Sequence, residues 1–446
     1  MCALQSSAPR QIARRLGSPA AVAGIRGRKR VLLDAYVRPP LSRGAPCHDA
    51  CQRVKEHMPY HLHDVHLRVV HKYLHQERNR VAGEARFILL EHLLPTTAEF
   101  VRELRDVGAE IFTLLGKPYS IDERVKRELE DEGVPVLVKP YAELEETTFL
   151  DDLLATAVIK SRDDGRPIII IDVGGYFAAP LLRLPLEDVE YVTGVVEDTT
   201  YGHNRYVPAL DQIPVPVVSV ARSALKEIEA RFVGRDVVAA MDHILRGQGV
   251  TLAGRRALVI GYGMIGSNIA YALRRQDLLV SVYDIRRHRM LRAYTDGFYI
   301  HTLRKLIESA DIIFAATAAQ ALGVDSIEEC KDDVILVSAG SKDTEFDLAG
   351  LRAQAVRSEP IGPYLERYSL SNSKRIVVAN RGTAVNFILP SLPEEILDLV
   401  FAEILVSTLR LLKQEGDEKY PPGYLHQSDD RVLNSISNDW LRSMNP

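Results

Sequence analysis

The sequence predicts an α/β protein made of two doubly wound halves in succession, joined by long helices. Three observations carry that prediction. From Arg86 onward, short β-branched runs alternate with amphipathic stretches, the rhythm of parallel strands joined by helical crossovers. The rhythm runs through two series separated by one long helical stretch. In the second series a fully apolar run, Leu258-Val259-Ile260, leads straight into Gly261-Tyr262-Gly263-Met264-Ile265-Gly266.

The first series opens with the strand Phe87-Ile88-Leu89-Leu90 and a helix over about residues 96–107. A short strand, Glu110-Ile111-Phe112, and a charged helix over about 121–132 follow, then strands at Val134-Pro135-Val136-Leu137 and Ile168-Ile169-Ile170-Ile171-Asp172, the latter ending at Gly174-Gly175. Continuous apolar character of this kind suits a strand covered on both faces. A helix is expected over about 223–246, and the second series then runs from Arg256 to about Ala379. Helical periodicity over 393–412 closes the fold, and the tail from Gln414 is polar and ambiguous.

Composition narrows the class. The 446 residues are 46% hydrophobic and 26% charged, which affords a sizeable core in two or three domains. A formal charge of −4 gives no electrostatic reason to expect nucleic acid or an anionic membrane as partner. No apolar run is long enough to span a bilayer. Four cysteines make no disulfide framework, so a reducing cytoplasm is the expected compartment. Residues 1–57 read as a basic, disordered tail, with an organellar transit peptide as the alternative, because seven Lys and Arg residues precede the first acid, Asp34.

The glycine turn points to a dinucleotide. Gly261 permits a tight turn, Gly263 lets the backbone approach a pyrophosphate, and Gly266 lets the following helix, over 264–274, pack close to the strand. Met264, Ile265 and Gly266 then lie at a helix N-terminus, whose free N–H groups and positive dipole end receive phosphate. The next strand, Leu279-Val280-Ser281-Val282-Tyr283, ends at Asp284, placed to bind ribose hydroxyls and to repel a 2′-phosphate. NAD is therefore expected over NADP, although Arg286 and Arg287 soften that preference.

At these residues the sequence resembles the adenosylhomocysteinase family, whose NAD domain carries a similar Gly-Tyr-Gly-x-x-Gly turn. Further likeness lies in Gly194-Val195-Val196-Glu197-Asp198-Thr199-Thr200-Tyr201-Gly202, in Lys331-Asp332-Asp333-Val334 leading to Gly340-Ser341-Lys342, in Glu91-His92-Leu93 and in Asp172-Val173-Gly174-Gly175. The resemblance implies two Rossmann-like domains hinged around a cleft. The substrate domain would be residues 58–225, completed by 390–446, and the NAD-binding domain 226–389. It also implies tightly held NAD that is recycled within each turnover, and a homo-oligomer, dimer or tetramer.

Carried over residue by residue, the resemblance makes Lys226 the lysine beside the hydroxyl being oxidised, a base of lowered pKa. His92 becomes the histidine near the leaving group, and Asp198 keeps the charge of a substrate-binding glutamate. Thr199, Thr200 and Asn380 join Gly261, Gly263, Met264, Ile265, Gly266 and Asp284 as cofactor contacts. Several positions depart from the pattern. Val173 stands where the family has a catalytic aspartate, Ala230 where it has a second acid, Arg231 where it has asparagine, and Ser341 and Phe387 where it has histidines. The family's C-terminal Lys-x-x-x-Tyr-Arg-Tyr tail is not found. The cofactor side is kept and the adenosine side replaced.

The expectation is thus an NAD-dependent oxidoreductase or hydrolase of the adenosylhomocysteinase type, acting on a small metabolite other than S-adenosylhomocysteine. Two alternatives stay open: a true adenosylhomocysteinase with a rearranged site, and a non-catalytic NAD-binding regulator. Seven of the thirteen histidines fall between His48 and His75, with His71 and His75 one helical turn apart. No acidic partner completes a HExxH motif and Cys47 and Cys51 suit no standard zinc module, so no metal is expected there, only a polar helix surface.

Overall fold

The computed structural model describes residues 65–340, 342–413 and 420–444; the expected tail 1–57 and Ser341 lie outside them. The first series forms β1 (Arg86–Leu93), β2 (Glu110–Ile121), β3 (Val136–Val138), β4 (Ile168–Asp172), β5 (Val192–Glu197) and β6 (Val217–Ser219). The second forms β7 (Arg256–Ile260), β8 (Leu279–Tyr283), β9 (Tyr299–Ile300), β10 (Ile312–Ala315), β11 (Val334–Ser338), β12 (Ala355–Gly362), β13 (Leu365–Leu370) and β14 (Arg375–Ala379). A late strand, β15 (Leu425–His426), returns to the edge of the first sheet.

Strand order in the first sheet is β15-β6-β5-β4-β1-β2-β3, every pairing parallel. The second runs β12-β13-β14-β11-β10-β7-β8-β9 and is parallel except for the antiparallel β12-β13-β14 edge. In such sheets a ligand crevice opens at the carboxyl ends of the strands, where the winding direction reverses. The reversal falls between β1 and β4 in one sheet and between β7 and β10 in the other. Glu91, His92, Val173 and Gly174 therefore rim the first crevice, and Gly261 and Ala316 the second.

The apolar runs behave as a two-sided core requires. Ile168 to Ile171 and Phe87 to Leu90 are wholly buried, alternate residues feeding clusters on opposite faces of the sheet. Each such side chain contributes about 1.5–3 kcal/mol of burial. The helices that matter below are α1 (Arg68–Leu74), α2 (Pro95–Asp106), α3 (Glu123–Asp131), α4 (Thr200–Tyr206), α5 (Ala224–Gly247), α6 (Met264–Arg274), α7 (Glu394–Lys413) and α8 (Asp430–Met444). α7 packs on the first sheet's core, where Phe401 stacks on Phe100 of α2 at 4.8 Å. Among the described residues no helix is long and apolar enough to cross a membrane.

Three readings of the sequence change. The strand at Glu110 continues to Ile121, past the polar break at Gly116-Lys117-Pro118, and so carries Lys117 and Tyr119 to the crevice. The charged helix consequently starts two residues late, at Glu123, where Asp122 caps it by accepting from the Arg124 and Val125 N–H groups. The ambiguous tail contains an amphipathic helix, α8, whose Val432 and Ile436 are buried.

Candidate functional site

The glycine turn joins β7 to α6. Gly261 has φ +94°, and a Cβ there would stand 2.5 Å from the Ala316 carbonyl oxygen. A Cβ on Gly266 would lie 1.8 Å from the Gly261 oxygen, so strand and helix touch through that residue. Gly263 is different: its Cβ would meet only the Arg289 guanidinium, at 3.4 Å. It is the N-cap of α6 and provides no side-chain cap, which leaves first-turn N–H groups of that helix for an anion. A cradle open only at its middle glycine fits a dinucleotide pyrophosphate.

Asp284, at the end of β8, is 3% exposed. Its Oδ2 accepts from the Tyr262 N–H at 2.7 Å and its Oδ1 from the Arg286 N–H at 2.8 Å, which hold the carboxylate beside the turn with lone pairs to spare. Arg289 reaches it at 3.5 Å. Burial, and repulsion from Arg286 and Arg289, lower the Arg222 pKa, the mark of cations gathered where an anion belongs. Asp284→Ala is expected to weaken NAD binding about tenfold or more and to narrow the preference over NADP, read by titrating each nucleotide. An unchanged ratio would remove Asp284 from discrimination.

Thr199, Thr200 and Asn380 are less free than the resemblance implies. The Thr199 hydroxyl caps α4 by accepting from Gly202 N–H at 3.0 Å and donates to Glu197 Oε1 at 2.7 Å, so its hydrogen is already spent. Thr200 follows, half-buried, as the first residue of that helix. Asn380, at φ +46°, donates its amide hydrogens to Thr383 Oγ1 and the Ala384 carbonyl, both at 2.9 Å, leaving Oδ1 as the acceptor.

The ends of β5 and α5 meet in a charged cluster. Lys226 Nζ lies 2.7 Å from Asp198 Oδ2 and 2.7 Å from Glu229 Oε2, and all three side chains are nearly buried. Asp198 Oδ1 is buried with no hydrogen-bond partner. Here the expectation of a depressed lysine fails. Burial does push Lys226 down, but the Asp198 and Glu229 charges and hydrogen bonds overcome it and raise the pKa, so the free site holds an ammonium. Glu229 also supplies a second acid that position 230 lacks. One turn of helix separates positions 226 and 229, so they share a face.

His92 is the next-to-last residue of β1, its Nδ1 2.5 Å from Ser120 Oγ and its ring 4.7 Å from Phe387 and 5.7 Å from Tyr119. Burial, then the positive charges of Lys117 and Lys226, hold its pKa well below the usual value, so the imidazole is neutral. Its neighbour Glu91 goes the other way: burial, reinforced by Asp198, lifts it to about 8. A protonated carboxyl beside a neutral imidazole, with one ring nitrogen open to accept, is an acid and a base set by environment.

Sequence reasoning missed Lys117. The residue is 1% exposed, and its ammonium donates to the Val173 carbonyl at 2.6 Å and lies 5.1 Å and 5.7 Å from the ring centroids of Tyr176 and Tyr119. Burial lowers it to about 8 against the opposing pull of Glu197, Asp172 and Glu91. The hydroxyls of Tyr119, Tyr141 and Tyr176 are buried; those of Tyr119 and Tyr141 interact with each other, that of Tyr176 has no partner, and Tyr141 stacks parallel to Tyr176. Lys342 stands 5.4 Å from the Tyr141 ring and pairs with Glu145, which also holds Arg205 at 2.9 Å. Val173 itself packs in the apolar core. Arg231, expected in the substrate pocket, lines a cavity of about 360 Å³ between α5 and α6 with Met264, Ser267, Asn268 and Arg292.

A family model described as S-adenosyl-L-homocysteine hydrolase, NAD binding domain, matches residues 232–390. The chain is 30% identical over 332 residues to an adenosylhomocysteinase of Sulfolobus acidocaldarius, with 73% of this chain and 77% of that one covered. It is 29% identical over 340 residues to an S-inosyl-L-homocysteine hydrolase of Methanopyrus kandleri, covering 75% and 77%. Among solved structures, the A chain of dipicolinate synthase from Bacillus subtilis aligns with 75% of this chain and 98% of its own, at 12% identity and a TM-score of 0.40.

Proposed function

Since this chain belongs to the adenosylhomocysteinase family, we propose that it is an NAD-dependent enzyme that oxidises a hydroxyl of a small, anionic metabolite other than S-adenosylhomocysteine. NAD, when bound, supplies the hydride acceptor. The observation that carries the reading is the unpartnered Asp198 Oδ1 beside the Lys226 ammonium, at the carboxyl end of the first sheet. A buried acceptor left open is costly unless a ligand fills it.

A substrate hydroxyl seated there donates to Asp198 Oδ1 and accepts from Lys226. As the carbon loses hydride, its oxygen loses its proton to the carboxylate, and the ammonium stabilises the forming carbonyl oxygen. Glu229 keeps Lys226 charged while Asp198 takes the proton. His92 and Glu91 stand ready to take and give protons at the neighbouring carbon. Thr200 and the Asn380 Oδ1 are placed in this reading at the cofactor, with Thr199 fixing the strand-to-helix junction that presents Asp198.

The substrate in this reading differs from an adenosine derivative because Lys117, bonded to the Val173 carbonyl, is surrounded by three buried tyrosines, the Tyr176 hydroxyl without a partner. A free phenol donor beside a hydrogen-bonded tyrosine pair and an ammonium suit an acceptor-rich group, a carboxylate or phosphate. Relatives also differ in the compound they are named for, adenosyl in one and inosyl in another. Lys117→Met should therefore lower kcat/KM for an anionic hydroxy compound by about tenfold or more, leave NAD affinity unchanged, and spare neutral analogues. Reduction of bound NAD by a panel of acidic and neutral polyols and nucleosides reads this directly. Equal losses on both groups would sink the assignment.

A second reading is favoured by Glu229. With two carboxylates again flanking Lys226, a true adenosylhomocysteinase with a rearranged site becomes chemically feasible. Release of homocysteine from S-adenosylhomocysteine would decide for it.

A further inference from the structure

The histidine pair at the end of α1, His71 within it and His75 at its C-cap, is not the plain polar surface that the sequence suggests. His71 and His75 place their rings 4.2 Å apart, centroid to centroid. Glu103 comes from α2, its side chain 11% exposed, and lays one carboxylate across both imidazoles. Its Oε1 and Oε2 are 2.9 Å and 3.0 Å from His71 Nδ1, and Oε2 is 3.3 Å from His75 Nε2. The three side chains offer one nitrogen, one nitrogen and one oxygen, all within 4.8 Å of one another.

We propose that His71, His75 and Glu103 form a binding site for a divalent transition-metal ion of the zinc type, with solvent in the fourth position. Nitrogen and carboxylate oxygen are the ligands such an ion takes, at about 2.0–2.2 Å. A tetrahedron of that size sets ligand atoms roughly 3.3 Å apart, so closing a 4.8 Å span needs a movement of about 1.5 Å, within reach of side-chain rotation.

The frame that carries the three groups is rigid. Asp398 of α7 accepts from the Val69 and Val70 N–H groups at 2.8 Å and 3.1 Å, and Val69, Val70, Tyr73 and Leu74 are buried beneath α1. The imidazoles are 59% and 41% exposed, so the open side of the site faces water. Among the described residues Glu103 forms no ion pair with a lysine or arginine, and the two imidazoles are its side-chain partners. Burial and the neighbouring Glu103 charge raise the Glu99 pKa, against the opposing pull of Arg102 and His66. A metal here clamps α1 to α2 and shares no residue with the crevice, so the inference stands apart from the proposed reaction.

The test is titration of metal-free full-length protein with Zn²⁺ alone, in competition with a chromophoric chelator, followed by Co²⁺ to read the visible ligand-field bands. The expected result is one equivalent whose affinity falls about 100-fold in His71→Ala and in Glu103→Gln, with the tetrahedral Co²⁺ bands lost. His75→Gln changes an exposed side chain and guards against a folding defect; it should behave alike. Zn²⁺ should raise the Tm of the parent and not of the variants, since binding the folded state alone stabilises it. No stoichiometric binding by the parent, or equal binding and equal Tm shifts in all four proteins, overturns the site.

Discussion

Gly263→Val is expected to lose NAD binding by about 100-fold or more while the protein stays folded, and Gly266→Ala to lose the cofactor and a large part of its stability together. The two glycines stand three residues apart, and their surroundings explain the difference. A side chain on Gly263 meets only the far end of Arg289, in a backbone conformation (φ −84°, ψ −159°) open to any residue, so its fold cost is small, within about 1 kcal/mol. It nevertheless occupies the space through which a pyrophosphate reaches the N–H groups of α6. On Gly266 even a methyl group lies 1.8 Å from a backbone carbonyl that cannot rotate away. Strand and helix must separate, at about 3 kcal/mol. Calorimetric NAD titration beside thermal melts separates the outcomes, and intact NAD binding by Gly263→Val would contradict the assignment of the turn.

Lys226→Met should lower kcat roughly a thousandfold without loss of bound NAD. It should also destabilise the protein by about 3–5 kcal/mol, because Asp198 and Glu229 are then left buried and facing each other without a cation. Adding Asp198→Asn removes one of the stranded charges and should recover much of the stability but none of the activity. That pattern distinguishes a reacting group from a merely structural ion pair. The sign of the pH dependence follows from the raised folded-state pKa. The contribution of the pair is complete below the ordinary lysine value and is lost as pH rises through the higher folded value, so neutral and mildly alkaline solutions retain it. Biological activity kept in Lys226→Met but lost in Gly263→Val would instead favour the non-catalytic, NAD-binding reading.

Several features were legible because their causes are local. The run before the glycine turn is a strand from Arg256 to Ile260, and the following helix spans Met264–Arg274 as its periodicity predicts. Four consecutive isoleucines could only be a strand with both faces covered. The β2 strand was read too short for an equally physical reason. Gly116, Lys117 and Pro118 break the apolar pattern, and nothing near them in the chain says that the sheet continues.

The same limit applies to charge. Lys117 has an unremarkable neighbourhood in sequence, yet the fold buries it among Glu197, Asp172 and Glu91. Glu229 could have been found by counting along the helix from Lys226, since positions three apart share a face. Glu103 could not: it lies 28 residues from His75, and only the packing of α1 on α2 brings its carboxylate to the imidazoles.

What the sequence determined by itself is therefore the α/β architecture, the dinucleotide turn and the acid that follows it, because strand burial, helix period and glycine geometry are written within a few residues of the chain. What only the tertiary structure decided is the protonation and company of the reacting groups. Lys226 is held as an ammonium by Asp198, 28 residues before it, and Glu91 and His92 are driven in opposite directions by burial, under the charges of Lys117 on β2, Asp198 after β5 and Lys226 on α5. Electrostatic energy depends on distance through space and on exclusion of water, and neither is set until the sheets have formed.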